Sequence, residues 1–299
     1  MSQLAVSAPA KINLSLDVVG RRKDGYHLLS TVMQSLELAD RVTVGLDMDT
    51  VGIRLTCSKP GIPLDRRNTA WRAAHSFMAA IGLEAGVTID LEKKIPVSAG
   101  LAGGSSDAAA VLFALDQLLP GRLTRNRLFK LAGSIGADVP FCLQGATVLC
   151  EGIGDKLTLL PPLDQIPVLL CKPDFGLSTP WVFKRLDLDN LGSRPDQPAI
   201  LADLQAHDLP GLGLHTANVL ESVSMPAHPV LQDLKHMLKN AGAAAALMSG
   251  SGPTVFGLFP DGAACEAARQ QLVRQAPPAT LILATHTADH GPQIMNDLI

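Results

Sequence analysis

The sequence predicts an α+β fold in two domains, with strands gathered towards the N-terminus and helices after them rather than a regular βαβ alternation. Three observations carry this reading. Ile12, Leu14, Leu16 and Val18 alternate with Asn13, Ser15 and Asp17, a period of two that marks a half-buried strand. Ala108, Val111, Leu112, Leu115 and Leu119 recur at helical spacing. The chain of 299 residues is long for a single hydrophobic core. Pro161-Pro162 marks the boundary, giving domains 1–158 and 159–299.

The first strand ends in a charged turn, Gly20 to Gly25, and puts Lys11 and Asn13 on one polar face. Strands follow at Thr31–Leu38 and Arg41–Leu46, then a helix from Asn68 to Ile81 that ends near Gly82. Val87–Leu91 is strand-like and runs into a glycine-rich stretch, after which a helix starts at Ala108 and stops at Pro120-Gly121. Thr124 caps a further helix ended by Gly136, and Ala146–Cys150 is a strand. Beyond the boundary come strand Val168–Cys171, a Pro- and Asp-rich stretch from Asp187 to Asp208, and a helix over Val230–Asn240. Leu247–Phe256 reads as strand, glycine turn, strand, before a helix at Glu266–Gln275 and a last strand at Thr280–Thr285.

Residues 96 to 107, PVSAGLAGGSSD, carry the most chemistry. Gly100, Gly103 and Gly104 let backbone N–H groups approach a ligand, and Ser105 and Ser106 add hydroxyls where a helix begins. Such a strand-to-helix turn forms a nest for an anion, most simply a polyphosphate. It is neither a Walker A loop nor a Rossmann fingerprint. Ser98, Ala99 and Ala102 carry a Cβ and are expected to avoid positive φ.

Composition narrows the partners. Net charge is −3, from 25 basic and 28 acidic residues, which argues against a nucleic-acid groove or an anionic membrane surface. Aromatic residues, at 4%, leave little for base-stacking platforms. Five dispersed cysteines without a C-x-x-C fit reduced thiols, and neither a secretory leader nor a membrane span is apparent, so a cytoplasmic enzyme is expected. Asp174-Phe175-Gly176 lacks the other protein-kinase signatures and reads as a chance loop.

Phosphoryl transfer needs a phosphate cradle, a cation against developing charge, and a group that positions or deprotonates the acceptor. Lys11 is the candidate cation, although a lysine at a strand end is usually solvated. Asp138, between Gly136-Ala137 and Val139-Pro140, is either a turn residue that bonds its own backbone or a general base partnered by Lys11. Tyr26, His27, Trp181 and Phe183 are the few rings on which a flat heterocycle could stack.

Taken together, PAKINL at Pro9–Leu14, DGYH at Asp24–His27, the stretch Ile95–Ala108, GADVP at Gly136–Pro140, STPWVF at Ser178–Phe183 and SGSGPT at Ser249–Thr254 resemble the GHMP kinase superfamily, across nearly the whole chain. The resemblance implies an N-terminal domain like ribosomal protein S5 and a C-terminal ferredoxin-like α/β domain, with the active site between them. The pattern is similar to the members that phosphorylate the 2-hydroxyl of a cytidylylated sugar alcohol; a mevalonate- or homoserine-like alcohol kinase is the alternative. The resemblance further implies ATP and Mg²⁺ as cofactors, with the metal's protein ligand left open and Ser106 its candidate. Asp138 matches the general base and Lys11 the lysine that orients it. Pro96, Val97, Ser98, Ala99, Gly100, Leu101, Ala102, Gly103, Gly104, Ser105 and Ser106 match the ATP phosphate loop, and Asn68 the adenine side. Asn13, Tyr26, His27, Thr179 and Phe183, with Ser251 and Gly252, match the acceptor's pocket, where Tyr26 and Phe183 sandwich the cytosine. A monomer or homodimer is expected.

Overall fold

Lys11, Asn13, Ser15 and Asp17 do alternate with Ile12, Leu14, Leu16 and Val18 in β1 (Ser2–Arg21), yet both sets are buried. The half-buried strand expected is therefore buried on both faces. Its polar side is covered by protein rather than water, with Asp17 paired to Arg194 and Ser15 facing Gln197. The computed structural model describes residues 2–22, 25, 27–163 and 165–295. β2 (His27–Asp47) runs antiparallel to β1 as one strand where two were expected, and a register shift between Pro9 and Lys11 replaces the turn.

β3 (Gly52–Cys57) pairs in parallel with β4 (Gly86–Glu92), and α1 (Thr69–Ile81) makes the crossover between them. Asn68 caps α1 by accepting from the Ala70 N–H, and Gly82 closes it at a φ of 64°, where a Cβ would strain the backbone. α2 (Gly103–Leu118) begins inside the glycine run, five residues before the expected Ala108. Its Ala108, Ala109, Ala110 and Ala114 are buried along with Val111, Leu112 and Leu115, so small side chains let it sit deep among its neighbours. α3 (Arg125–Ile135), capped by Thr124, leads to the short α4 (Val139–Gln144), then β5 (Thr147–Gly152) and β6 (Lys156–Leu159).

The second half holds β7 (Pro167–Lys172), α5 (Thr179–Arg185), α6 (Gln197–Ala206), α7 (Leu209–His215), α8 (Glu221–Ala227) and α9 (Val230–Asn240). It continues with β8 (Ala245–Met248), β9 (Val255–Leu258), α10 (Gly262–Gln275), β10 (Leu281–Ala288) and β11 (Gln293–Ile294). The Pro- and Asp-rich stretch is thus partly helical. Asp196 and Asp208 accept from backbone N–H groups at the starts of α6 and α7, and a proline stands in the first turn of each.

The strands form one sheet of order β11-β1-β2-β10-β7-β9-β8, with β4 and β5 also on β2. β10 joins the halves: Leu281–His286 pair with β7, while Thr287 and Ala288 pair with Leu36 and Ser35 of β2. One core lies between the first sheet region and α1–α4, around Phe77, Leu112 and Phe141. Another lies beneath α8–α10, around Phe259, Leu234 and Leu272. A third joins the halves, packing Ile12, Leu14 and Leu36 against Leu101, Leu170 and Phe256. No described helix is long and apolar enough to cross a membrane.

Phe77 is fully buried in the first core. Phe77→Ala should lower the unfolding free energy by about 3–5 kcal/mol in urea denaturation, and a loss below about 1 kcal/mol would show that α1 is not packed as described.

Candidate active site

Two glycine runs meet beneath a cavity of about 690 Å³. The first, 96–105, follows β4 and enters α2; the second, 249–254, joins β8 to β9. A Cβ on Gly100 would collide with the Ser249 carbonyl oxygen and lie 3.0 Å from that of Gly252, so only glycine permits this approach. Ser249 Oγ donates to the Gly100 carbonyl at 2.9 Å, and the Thr254 N–H donates to that of Ala99 at 3.3 Å. The Lys11 N–H in turn donates to the Leu101 carbonyl at 3.2 Å, tying β1 to the same loop.

The expectation that a Cβ keeps these loop residues from positive φ fails at two positions. Ser98 has φ 53° and Ala102 φ 58°, while Ala99 is not among the positive-φ residues. Ala102 occupies the cap position of α2 in the left-handed region, so the helix starts without a side-chain cap. By contrast α1, α3, α6 and α10 are each capped by a side chain. An uncapped helix start at a cavity presents N–H donors and partial positive charge to an anion.

Pro96 through Ser105 all line the cavity. Ser106 does not: it is fully buried and its Oγ donates to the Pro9 carbonyl at 2.6 Å. It therefore fastens α2 to β1, with its hydroxyl turned away from the cavity. Asn68 lines the cavity, but its carboxamide is engaged with Ala70 N–H and the Pro63 carbonyl.

Lys11 and Asp138 come together, with Nζ 3.7 Å from Oδ2. Lys11 is almost wholly buried, whereas a third of the Asp138 side chain is exposed towards the cavity it lines. Asp138 precedes α4 but makes no capping bond with its side chain, so its carboxylate is not spent on the local turn. Lys11 Nζ donates to Asn13 Oδ1 at 2.7 Å, Asn13 Nδ2 donates to Thr31 Oγ1 at 2.9 Å, and Thr31 Oγ1 donates to the Ser15 carbonyl at 2.5 Å. This chain of bonds fixes the ammonium from behind.

Thr179, Phe183, Ser251 and Gly252 also line the cavity, and Thr179 Oγ1 and Ser251 Oγ are 2.8 Å apart. His27 stands behind Phe183, ring centroids 5.1 Å apart and tilted by 34°. Burial, aided by the nearby Arg21 charge, lowers the His27 pKa and favours a neutral ring. Tyr26 lies outside the described residues.

Three features escaped the motif reading. Asn218 Nδ2 donates to the Met248 and Gly250 carbonyls and so shapes the second glycine run, with no sequence signal to betray it. Thr31 lines the cavity from near the start of β2. Asp40, Lys93 and Asp107 form a buried cluster under α2; Lys93 beside the loop and Asp107 in the helix's first turns were the available signals. Among the described residues no group of three or more His, Cys, Asp or Glu could hold a metal.

This fold and cavity define a GHMP kinase. The family model for the GHMP kinases N terminal domain matches residues 68–146, and that for the GHMP kinases C terminal matches residues 200–278. The chain is 42% identical over 259 residues to the 4-diphosphocytidyl-2-C-methyl-D-erythritol kinase of Acetivibrio thermocellus, covering 87% of this chain and 91% of that protein. It is 44% identical over 273 residues to the kinase of the same name from Pelobacter propionicus, covering 91% and 95%. A crystal structure of 4-(cytidine 5'-diphospho)-2C-methyl-D-erythritol kinase superposes with a TM-score of 0.80 at 35% identity, covering 95% of this chain and 99% of that one. A homoserine kinase from Cytophaga hutchinsonii superposes equally, at 0.80, but at 22% identity it shares the fold alone. The chain belongs to the 4-diphosphocytidyl-2-C-methyl-D-erythritol kinase family.

Ala102 supplies a stability test. Ala102→Gly removes a Cβ from a left-handed residue and should raise the unfolding free energy by about 0.5–1 kcal/mol, read from the urea midpoint. A loss of stability would contradict the backbone described.

Proposed function

We infer that the chain transfers the γ-phosphoryl group of ATP to the 2-hydroxyl of 4-diphosphocytidyl-2-C-methyl-D-erythritol, in the non-mevalonate route to isopentenyl diphosphate. The family membership supports the reaction, and the Lys11–Asp138 pair lining the same cavity as an uncapped helix start carries its assignment to this cavity. In this reading residues 1–158 hold the nucleotide and 159–299 close the acceptor pocket over it.

The nucleotide's phosphates lie along 96–105, held by backbone N–H groups and the start of α2. Adenine points towards Asn68, which shapes its wall as a cap of α1. Magnesium would arrive with the nucleotide and would offset the charge of its phosphates, with its protein ligand left open. The cytosine stacks on Phe183, braced from behind by His27, while Tyr26, Thr179, Ser251 and Gly252 complete the grip on the diphosphocytidyl end. Partners are thus the nucleotide and a small cytidylylated alcohol.

As the acceptor's 2-oxygen forms its bond to the γ-phosphorus, its proton passes to the Asp138 carboxylate. The bond from phosphorus to the β–γ bridging oxygen breaks and ADP leaves with that electron pair. Lys11, held by Asn13, orients the Asp138 carboxylate and offsets charge on the transferring group. Catalysis is positioning and electrostatics, without a covalent enzyme intermediate.

Asp138→Asn should reduce kcat by about 10²–10⁴-fold while ADP affinity stays within a few-fold; unchanged turnover removes the base assignment. Phe183→Ala should raise KM for the cytidylylated acceptor and leave that for ATP alone, in initial-rate assays run beside mevalonate and homoserine. Faster transfer to either of those alcohols would overturn the acceptor.

A further inference from the structure

The glycine turn between β8 and β9 is held from outside by one segment, 217–224. Asn218 Nδ2 donates to the Met248 carbonyl at 2.7 Å and to the Gly250 carbonyl at 2.8 Å, and its Oδ1 accepts from the Leu220 N–H at 3.0 Å. Ser224 Oγ donates to the Ser251 carbonyl at 3.2 Å. Glu221 Oε1 accepts from the Met248 N–H at 2.9 Å, and Lys235 fixes its other oxygen. Asn218 and Ser224 are both buried. Among neutral side chains only a carboxamide sets two N–H donors and an acceptor on one rigid plane, and Asn218 uses all three.

The same segment is bound to the strand that carries Lys11. The Leu16 N–H donates to the Ala217 carbonyl at 2.9 Å and the Val219 N–H to the Leu16 carbonyl at 3.0 Å, a parallel bridge of β1 to Asn218. The turn returns to that strand: a Cβ on Gly250 would lie 3.5 Å from both Lys11 Nζ and Asn13 Oδ1. Leu16, Leu220, Gly250 and Ser251 all line the cavity, and Ser251 reaches Thr179 at the start of α5. Asn218 thus spaces this wall against Lys11 through hydrogen bonds to backbone, by a path separate from the contact of Ser249 with Gly100.

We propose that Asn218, assisted by Ser224, is a positioning residue for the acceptor: it sets Gly250 and Ser251 against Lys11 so that the alcohol oxygen meets the γ-phosphorus within reach of Asp138. Neither residue is among those lining the cavity, so each acts through the backbone it holds. Gly250 and Gly252 have φ of 57° and 85°, and a turn built on two such glycines has little stiffness of its own. Stiffness matters here, because displacing a reacting atom by about 1 Å costs on the order of 10²-fold in rate. The proposal rests on the reaction and cavity assigned above and deepens them by naming what sets the acceptor's distance.

Asn218→Ser keeps a side-chain acceptor for the Leu220 N–H but withdraws the paired donations, since one hydroxyl cannot span both carbonyls. Initial-rate assays should show kcat/KM for 4-diphosphocytidyl-2-C-methyl-D-erythritol lowered roughly 10- to 100-fold, while the dissociation constant of Mg²⁺-ADP stays within about threefold. Water should take a share of the phosphoryl groups, so phosphorylated product per ADP falls below the wild-type ratio. Ser224→Ala should move both readings the same way by about two- to fivefold, and it decides the matter if Asn218→Ser does not fold. Wild-type kinetics and product ratio in the folded variant, even with a lowered urea midpoint, overturn the role, as does a loss shared equally by nucleotide and acceptor. A wild type that transfers nothing to this acceptor removes the proposed reaction itself, a separate failure, and this role with it.

Discussion

The molecule is organised around the place where Gly100 passes the backbone of residues 249–252 with no room for a side chain. Ser249 and Thr254 bond to the first glycine run, Lys11 to its Leu101 carbonyl, and Asn218 to the second run. Three distant parts of the chain are thereby held in one frame, and the first glycine run is stiffened by backbone contacts rather than its own side chains. Preorganised donors cost little reorganisation when charge develops, which is what a phosphoryl-transfer site requires. The left-handed Ser98 and Ala102 are tolerated because this frame leaves them little alternative.

Charge in the cavity is arranged in two tiers. Above, Lys11 and Asp138 form a pair with one member buried and the other reaching the cavity, so the carboxylate is accessible while its counter-ion is fixed by Asn13 and Thr31. Below, Lys93 sits between two acids whose hydrogen bonding differs oxygen by oxygen. Lys11, Lys93, Asp40 and Asp107 are all almost wholly buried, and that low-polarity setting makes each charge matter.

Local signals were legible in the sequence wherever a residue acts through its own backbone. Period-two alternation located β1, helical spacing located α1 and α3, and Asn68, Thr124 and Gly82 marked real helix ends. The motif reading also singled out Lys11 and Asp138, which lie side by side. What it missed depends on tertiary packing. Nothing near Lys11 announces that its strand is buried on both faces, because the cover comes from Arg194 and Gln197 far along the chain. Helix α2 starts early because the glycines are themselves its first turn, where a propensity argument places a loop. Asp196 and Asp208 looked like loop composition and proved to be helix caps. Ser106 looked like a phosphate ligand and is turned to the Pro9 carbonyl, a direction spacing alone does not convey.

The pairing of β10 with both β7 and β2 has a consequence for biosynthesis. On the ribosome the first half emerges with its own core but with the Ser35–Leu36 edge uncovered, and the second glycine run is translated long after the first. A nascent chain therefore carries an incomplete cradle until these late strands arrive. That edge stays unpaired until the late strands are made, an interval set by the speed of elongation.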